Sequence, residues 1–280
     1  MAANRRISPT VVPEFTVKPS YRCVLMLATS SFGIGERLVL VHGFTQTKET
    51  WADLVAELKD DYQLLTVDAP NHGGSADIDL DLEHGARAIV DVGGSATYLG
   101  YSLGARLCLD AALAFPELVG RLVLVSGTAG IEDAAQRSAR LESDENLARQ
   151  IERFGVEKFV DSWLAQPLFD GLNQDNNQRS IRLTNSARGL ASSLRLCGAG
   201  NQRPSWSRLG GLKIPVLVVA GVKDEKFARI AERIVGQIGN NASLCLIEGS
   251  GHTPHLEQPE RFATTVREFL ASTREQYSQT

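Results

Sequence analysis

The chain has 280 residues, 43% of them apolar and 22% charged, with a net charge of −4: enough for one large domain or a core carrying an insertion, with an acidic balance that argues against nucleic acid as a partner. Its four cysteines, Cys23, Cys108, Cys197 and Cys245, are far apart with no C-x-x-C pair, so neither a disulfide framework nor a metal site is expected, and reduced thiols in a cytoplasmic protein are. No apolar run approaches the roughly 18 residues that span a membrane, and the N-terminus lacks the apolar core of a signal peptide.

Residues 1–20 have little periodicity and read as an irregular arm, and 24–28 read as a short early strand. The continuous apolar run 37–41 predicts a strand buried on both faces and ends in His42-Gly43-Phe44. Helical spacing over 51–58, a strand over 63–67 and a helix over 81–92 follow. A strand over 96–101 then runs into Gly100-Tyr101-Ser102-Leu103-Gly104, from which a helix leaves over 105–115. This G-x-S-x-G between strand and helix is a nucleophile elbow: a sharp turn that excludes bulky neighbours and holds the serine at its tip. Further buried strands are expected over 122–125, 216–220 and 244–247, with a closing amphipathic helix over 259–271. Strands alternating with helices predict an α/β protein whose mostly parallel sheet is wrapped on both faces.

Between Ser126 and Leu209 the strand runs vanish, and helical patterns appear over 133–154, 156–163, 177–184 and 188–196. The domain organisation expected is a core formed by 1–127 and 209–280, with a helical cap over 128–208.

A catalytic serine needs a base, and the base needs an orienting carboxylate. Asp224 and His252 each lie just past a predicted strand, as Ser102 does, in the order Ser, Asp, His. Glu225 and Glu248 are the rival carboxylates. The N–H groups of Phe44 and Leu103 are the candidate oxyanion donors. His42, His72, His84 and His255 read as structural or solvated. From Asn176 to Lys213 there are seven cations, Arg179, Arg182, Arg188, Arg195, Arg203, Arg208 and Lys213, and no acid. Most should be solvated, but together with Arg106, one turn beyond Ser102, they suggest a small anionic substrate held by bidentate arginine contacts.

The motifs HGF, D-x-P-x-H-G-x-S, GYSLGAR, GVKDEKF and GSGHTPHLEQPERF resemble the α/β-hydrolase superfamily. GYSLGAR, the segments around Arg140 and Arg182, WLAQPLF and DEKF are similar to the MenH enzymes of menaquinone biosynthesis, the 2-succinyl-6-hydroxy-2,4-cyclohexadiene-1-carboxylate synthases. The resemblance implies a lyase that eliminates pyruvate from an enolpyruvyl precursor bearing three carboxylates, using the triad for proton abstraction. It implies a triad of Ser102, Asp224 and His252, substrate-binding roles for Tyr101, Arg106, Arg140, Trp163 and Arg182, and no metal or organic cofactor. Asn71 departs from the family by standing where a glycine is usual before His72. A hydrolase acting on a carbon–carbon bond or an ester is the alternative, and a noncatalytic ligand-binding protein a further one.

Overall fold

The computed structural model describes residues 26–274; the arm expected over 1–20 lies outside them. In chain order the elements are β1 (Thr29–Phe32), β2 (Glu36–Val41), α1 (Ala52–Leu58), β3 (Tyr62–Val67), α2 (Leu82–Gly93), β4 (Ala96–Tyr101), α3 (Leu103–Ala114) and β5 (Val119–Val125). Then come α4 (Ala134–Leu164), α5 (Arg179–Arg182), α6 (Ala187–Cys197), β6 (Val216–Gly221), α7 (Glu225–Ile238), β7 (Ala242–Ile247), α8 (Pro254–Glu257) and α9 (Pro259–Ser272). The seven strands form one sheet in the order β1-β3-β2-β4-β5-β6-β7, with β1 antiparallel to β3 and every other pair parallel.

The central strands are apolar on both faces because both faces are covered. Along β2, Leu38 and Leu40 pack with α1 and α9, while Val39 and Val41 pack with α2 and α3. In β5, Val123 and Val125 join the first group and Leu122 and Leu124 the second. This alternation is the two-residue side-chain period of a strand.

Two sequence expectations need correction at the sheet edges. The early strand is not at 24–28: residues 24 and 25 lie outside the described residues, 26–28 are not strand, and β1 is the polar Thr29–Phe32. Likewise β7 is not buried, since it pairs only with β6 and Leu244 is 37% exposed. An edge strand has one hydrogen-bonded neighbour and less cover, so its residues need not be uniformly apolar.

Between β5 and β6 the chain is helical, and α4 packs on α6 through an apolar cluster of its own: Ala148, Ile151 and Phe159 against Leu190, Ala191 and Leu194. The return segment, Trp206 and Leu209, is already part of the main core. Helix α4 is interrupted at Gly155, where φ is +82° and ψ is 168°. That backbone is accessible essentially to glycine alone, and it explains why the sequence pattern divides at this residue.

Candidate active site

The elbow is built by close approach of backbones. Ser102 sits between β4 and α3 with φ +52° and ψ −103°, a strained conformation for a residue with a side chain. It is held by its N–H, which donates to Val125 O at 2.9 Å, and by its carbonyl, which accepts from Arg106 N at 3.2 Å. A Cβ at Gly104 would collide with the carbonyl of Val41, and one at Gly100 with the carbonyl of Gly104. The two glycines are therefore a steric condition for the turn.

Asp224 and His252 follow the neighbouring strands β6 and β7. The Asp224 carboxylate caps α7, accepting from Phe227 N at 3.2 Å through Oδ1, and its Oδ2 lies 2.7 Å from His252 Nδ1. Burial pushes the Asp224 carboxyl up, but the hydrogen bond and charge of His252 outweigh it, leaving the group below its ordinary range. An ionised Asp224 fixes the Nδ1–H tautomer and leaves Nε2 as the basic atom. His252 is packed by Phe227, with ring centroids 4.5 Å apart, and by Tyr101 at 5.5 Å. The rival carboxylates do not share this place: Glu225 pairs with Arg229 at 3.6 Å, and Glu248 is exposed.

Ser102 and His252 line one cavity of about 300 Å³, together with Phe44, Leu103, Tyr101, Arg106, Arg140 and Trp163. Leu103 opens α3, where the first N–H groups have no intrahelical acceptor. Phe44 lies in a turn closed by Gln46 N donating to Gly43 O at 3.1 Å. Its ring meets Trp163 edge-on at 5.2 Å, and Trp163 stacks on Phe159 at 5.7 Å. No Asp or Glu lines the cavity among the described residues, whereas Arg106, Arg140 and Lys226 do.

Arg106 is 9% exposed, and its Nη1 has no hydrogen-bond partner. Burial lowers its pKa to about 10, so it remains a cation at neutral pH. A desolvated guanidinium without a carboxylate partner is a costly group to keep, and an anionic ligand would satisfy it. Arg140 is more exposed, with its Nε donating to Asp144 Oδ1 at 2.7 Å. Arg182 is not on the cavity wall: it is 1% exposed, its Nη1 donates to Thr45 Oγ1, and its Nε donates to Asn177 O at 2.9 Å. Its Nη2 lacks a partner, and burial lowers its pKa to about 10.

Three of the seven cations in the acid-free stretch are paired with acids from elsewhere. Arg179 pairs with Asp161 at 2.6 Å, Arg188 with Asp79 at 2.5 Å, and Arg195 with Glu145 at 2.8 Å. Counting charge along one segment missed these acids, two of which lie on α4. The other histidines have local roles: His42 Nδ1 lies 2.8 Å from Gly43 O, His72 Nδ1 lies 2.9 Å from Pro70 O, and exposed His84 pairs with Asp81. His255 packs on Tyr101 with ring centroids 4.4 Å apart.

The cavity also takes in residues that sequence reasoning did not single out, notably Ser126, Ser193 and Lys226. Ser126 carried a readable signal in its position, directly after the predicted strand 122–125; the structure places it at the carboxyl end of β5 beside the elbow strand, with φ +48°. Ser193 could not be found without knowing which face of α6 turns inward. Lys226 lies two residues past Asp224, within a motif already quoted.

Known proteins share this fold. A model of the alpha/beta hydrolase family matches residues 38–265. A Bacillus subtilis (strain 168) protein described as a putative 2-succinyl-6-hydroxy-2,4-cyclohexadiene-1-carboxylate synthase is 36% identical over 251 residues, 85% of this chain and 91% of that one. The synthase of that name from Enterobacter sp. (strain 638) is 30% identical, covering 83% and 91% of the two chains. A solved structure of MenH from S. aureus superposes with a TM-score of 0.83 at 30% identity, covering 88% of this chain and 98% of that one.

Proposed function

The chain belongs to the alpha/beta hydrolase family, and we propose that within it the protein is a 2-succinyl-6-hydroxy-2,4-cyclohexadiene-1-carboxylate synthase, a lyase of menaquinone biosynthesis. The observation that carries this reading is Arg106, buried and unpartnered in the wall of the cavity that Ser102 and His252 share. A neutral ester offers such a cation nothing, whereas an enolpyruvyl substrate with several carboxylates can satisfy it. The Enterobacter synthase, at 30% identity, supplies the substrate class.

In this reading Asp224 holds His252 in the tautomer that presents Nε2, and His252 draws the proton from Ser102 Oγ. Ser102 then removes the proton from the carbon acid of the substrate. The electron pair left on carbon forms the new ring double bond as the C–O bond to the enolpyruvyl group breaks. The enolate released takes up a proton to become pyruvate. The N–H groups of Phe44 and Leu103, with Arg106 and Arg140, stabilise charge as it develops. Tyr101 and Trp163 shape the wall, and the helices over 128–208 act as a cap above the strand ends. No metal or organic cofactor enters the scheme. The reaction is assigned to the cytoplasm, in keeping with the free thiols of Cys108, Cys197 and Cys245 among the described residues.

The test is pyruvate detection with the enolpyruvyl succinyl-cyclohexene carboxylate, run beside a simple ester. Rapid pyruvate release with slow ester cleavage is expected. Fast ester cleavage without pyruvate would make the protein a hydrolase.

A further inference from the structure

The turn that carries Phe44 is held in an uncommon conformation by two side chains from the segment around α5. Gln46 N donates to Gly43 O at 3.1 Å, making Phe44 and Thr45 the central residues of a four-residue turn. Thr45, at its third position, has φ +69°. A positive φ at that position belongs to a type II turn, which favours glycine or asparagine there. A β-branched residue persists in such a backbone only where its surroundings hold it.

Here the surroundings are identifiable. Arg182 Nη1 donates to Thr45 Oγ1, and Asn185 Nδ2 donates to Thr45 O at 2.8 Å. Asn185 Nδ2 is also 3.1 Å from Arg182 O, which ties the two together. The Asn185 Oδ1 accepts from Gly73 N at 3.0 Å, so one side chain fixes the turn after β2 and the loop after β3. Thr45, Arg182 and Asn185 are 0%, 1% and 5% exposed, respectively. The hydroxyl and the carbonyl of the strained residue are thus held by the same short segment.

We propose that Arg182 and Asn185 are positioning residues: they fix Thr45, and through it the oxyanion-binding N–H of Phe44. The inference rests on Phe44 being an oxyanion donor, as read above. Should Thr45 relax to negative φ, the peptide carrying the Phe44 carbonyl and the Thr45 N–H turns over, the type II turn is lost, and the Phe44 N–H in the peptide before it is no longer held in one direction. Displacement of a preorganised donor costs turnover rather than binding. The competing role is direct substrate contact through the free Nη2 of Arg182, which would act on binding of the anion.

Three changes separate the roles. Arg182→Gln removes the donor; Thr45→Val removes the acceptor with little change of shape and leaves Arg182 in place, which also covers the case in which Arg182→Gln does not fold. Thr45→Gly, placed in the Arg182→Gln protein, lowers the cost of the positive φ. Each is measured for kcat and KM on the enolpyruvyl substrate and on p-nitrophenyl acetate, and for amide hydrogen exchange over residues 43–46. Positioning predicts that Arg182→Gln and Thr45→Val each lower kcat about tenfold to a hundredfold on either substrate. KM should stay nearly constant, exchange over the turn should quicken, and Thr45→Gly should restore part of the loss. A rise in KM for the anion alone, with ester kcat and exchange unchanged, overturns the proposal and makes Arg182 a ligand. If neither substrate is turned over, the proposed reaction has failed on its own account; the exchange then decides, and an unchanged turn overturns the positioning role.

Discussion

Ser102, Gly100, Gly104, Asp224 and His252 were legible in the sequence because chemistry and sterics leave little choice at those positions. A side chain at either glycine meets backbone, and the base must be oriented by a carboxylate, here at 2.7 Å. Asn71 shows the same logic in reverse. It departs from the family's usual glycine, yet its φ of +69° is one that asparagine tolerates better than most residues. Arg182 was expected to bind substrate, whereas it lies off the cavity wall, and its burial against Thr45 is a property of packing that no spacing encodes. Two predictions belong at this scale. Ser102→Ala and His252→Ala should each reduce kcat for pyruvate release by at least about a thousandfold, and the double variant should be little worse than either, because the pair acts as one unit. Losses that multiply in steady-state assays would contradict this. Arg106→Lys keeps the charge but loses the fork, and should lower kcat/KM for the anionic substrate by about 10- to 100-fold, with little effect on a neutral ester. Equal losses on both would mean that Arg106 supports the elbow rather than the substrate.

Among the elements, the central strands were readable because burial on both faces imposes a continuous apolar run. The edge strands were not, since β1 and the exposed side of β7 need no such run. The helical stretch between β5 and β6 was visible as a loss of strand pattern, but the pairing of Arg179 and Arg195 with acids of α4 depends on how α4 folds back, which local sequence does not specify. The break in α4 gives a prediction at this scale. A Cβ at Gly155 would meet nothing within 4 Å, so the cost of Gly155→Ala is conformational. Forcing alanine into this glycine-only backbone should destabilise the protein by about 1–3 kcal/mol, read by urea unfolding. Unchanged stability would show that α4 runs through the break without strain.

For the molecule as a whole, two buried imidazoles tie folding to pH. Burial lowers both His72 and His255 to about 3 from an ordinary 6.5, with neighbouring positive charge adding to the shift. Their contribution is fully present above 6.5 and is lost as pH falls toward 3, because the unfolded chain binds protons that the folded one refuses. Asp110, raised to about 6 by burial, works in the opposite direction, so the clean readout is a difference between proteins. Between pH 7 and 5.5, His255→Gln should lose roughly 1 kcal/mol less stability than the parent, each pH unit being worth about 1.4 kcal/mol per histidine. Identical losses would show that His255 titrates normally. The fold class and the strand-end placement of the three catalytic candidates followed from element order, while the cavity wall needed three dimensions. The central claim is that this triad eliminates and does not hydrolyse. It is tested most directly by running the enolpyruvyl substrate in H₂¹⁸O and weighing the ring product. Elimination predicts one pyruvate per substrate and a ring diene that has lost the ether oxygen; a ring product one water heavier, keeping that oxygen as a hydroxyl while the ¹⁸O goes to pyruvate, would contradict the account.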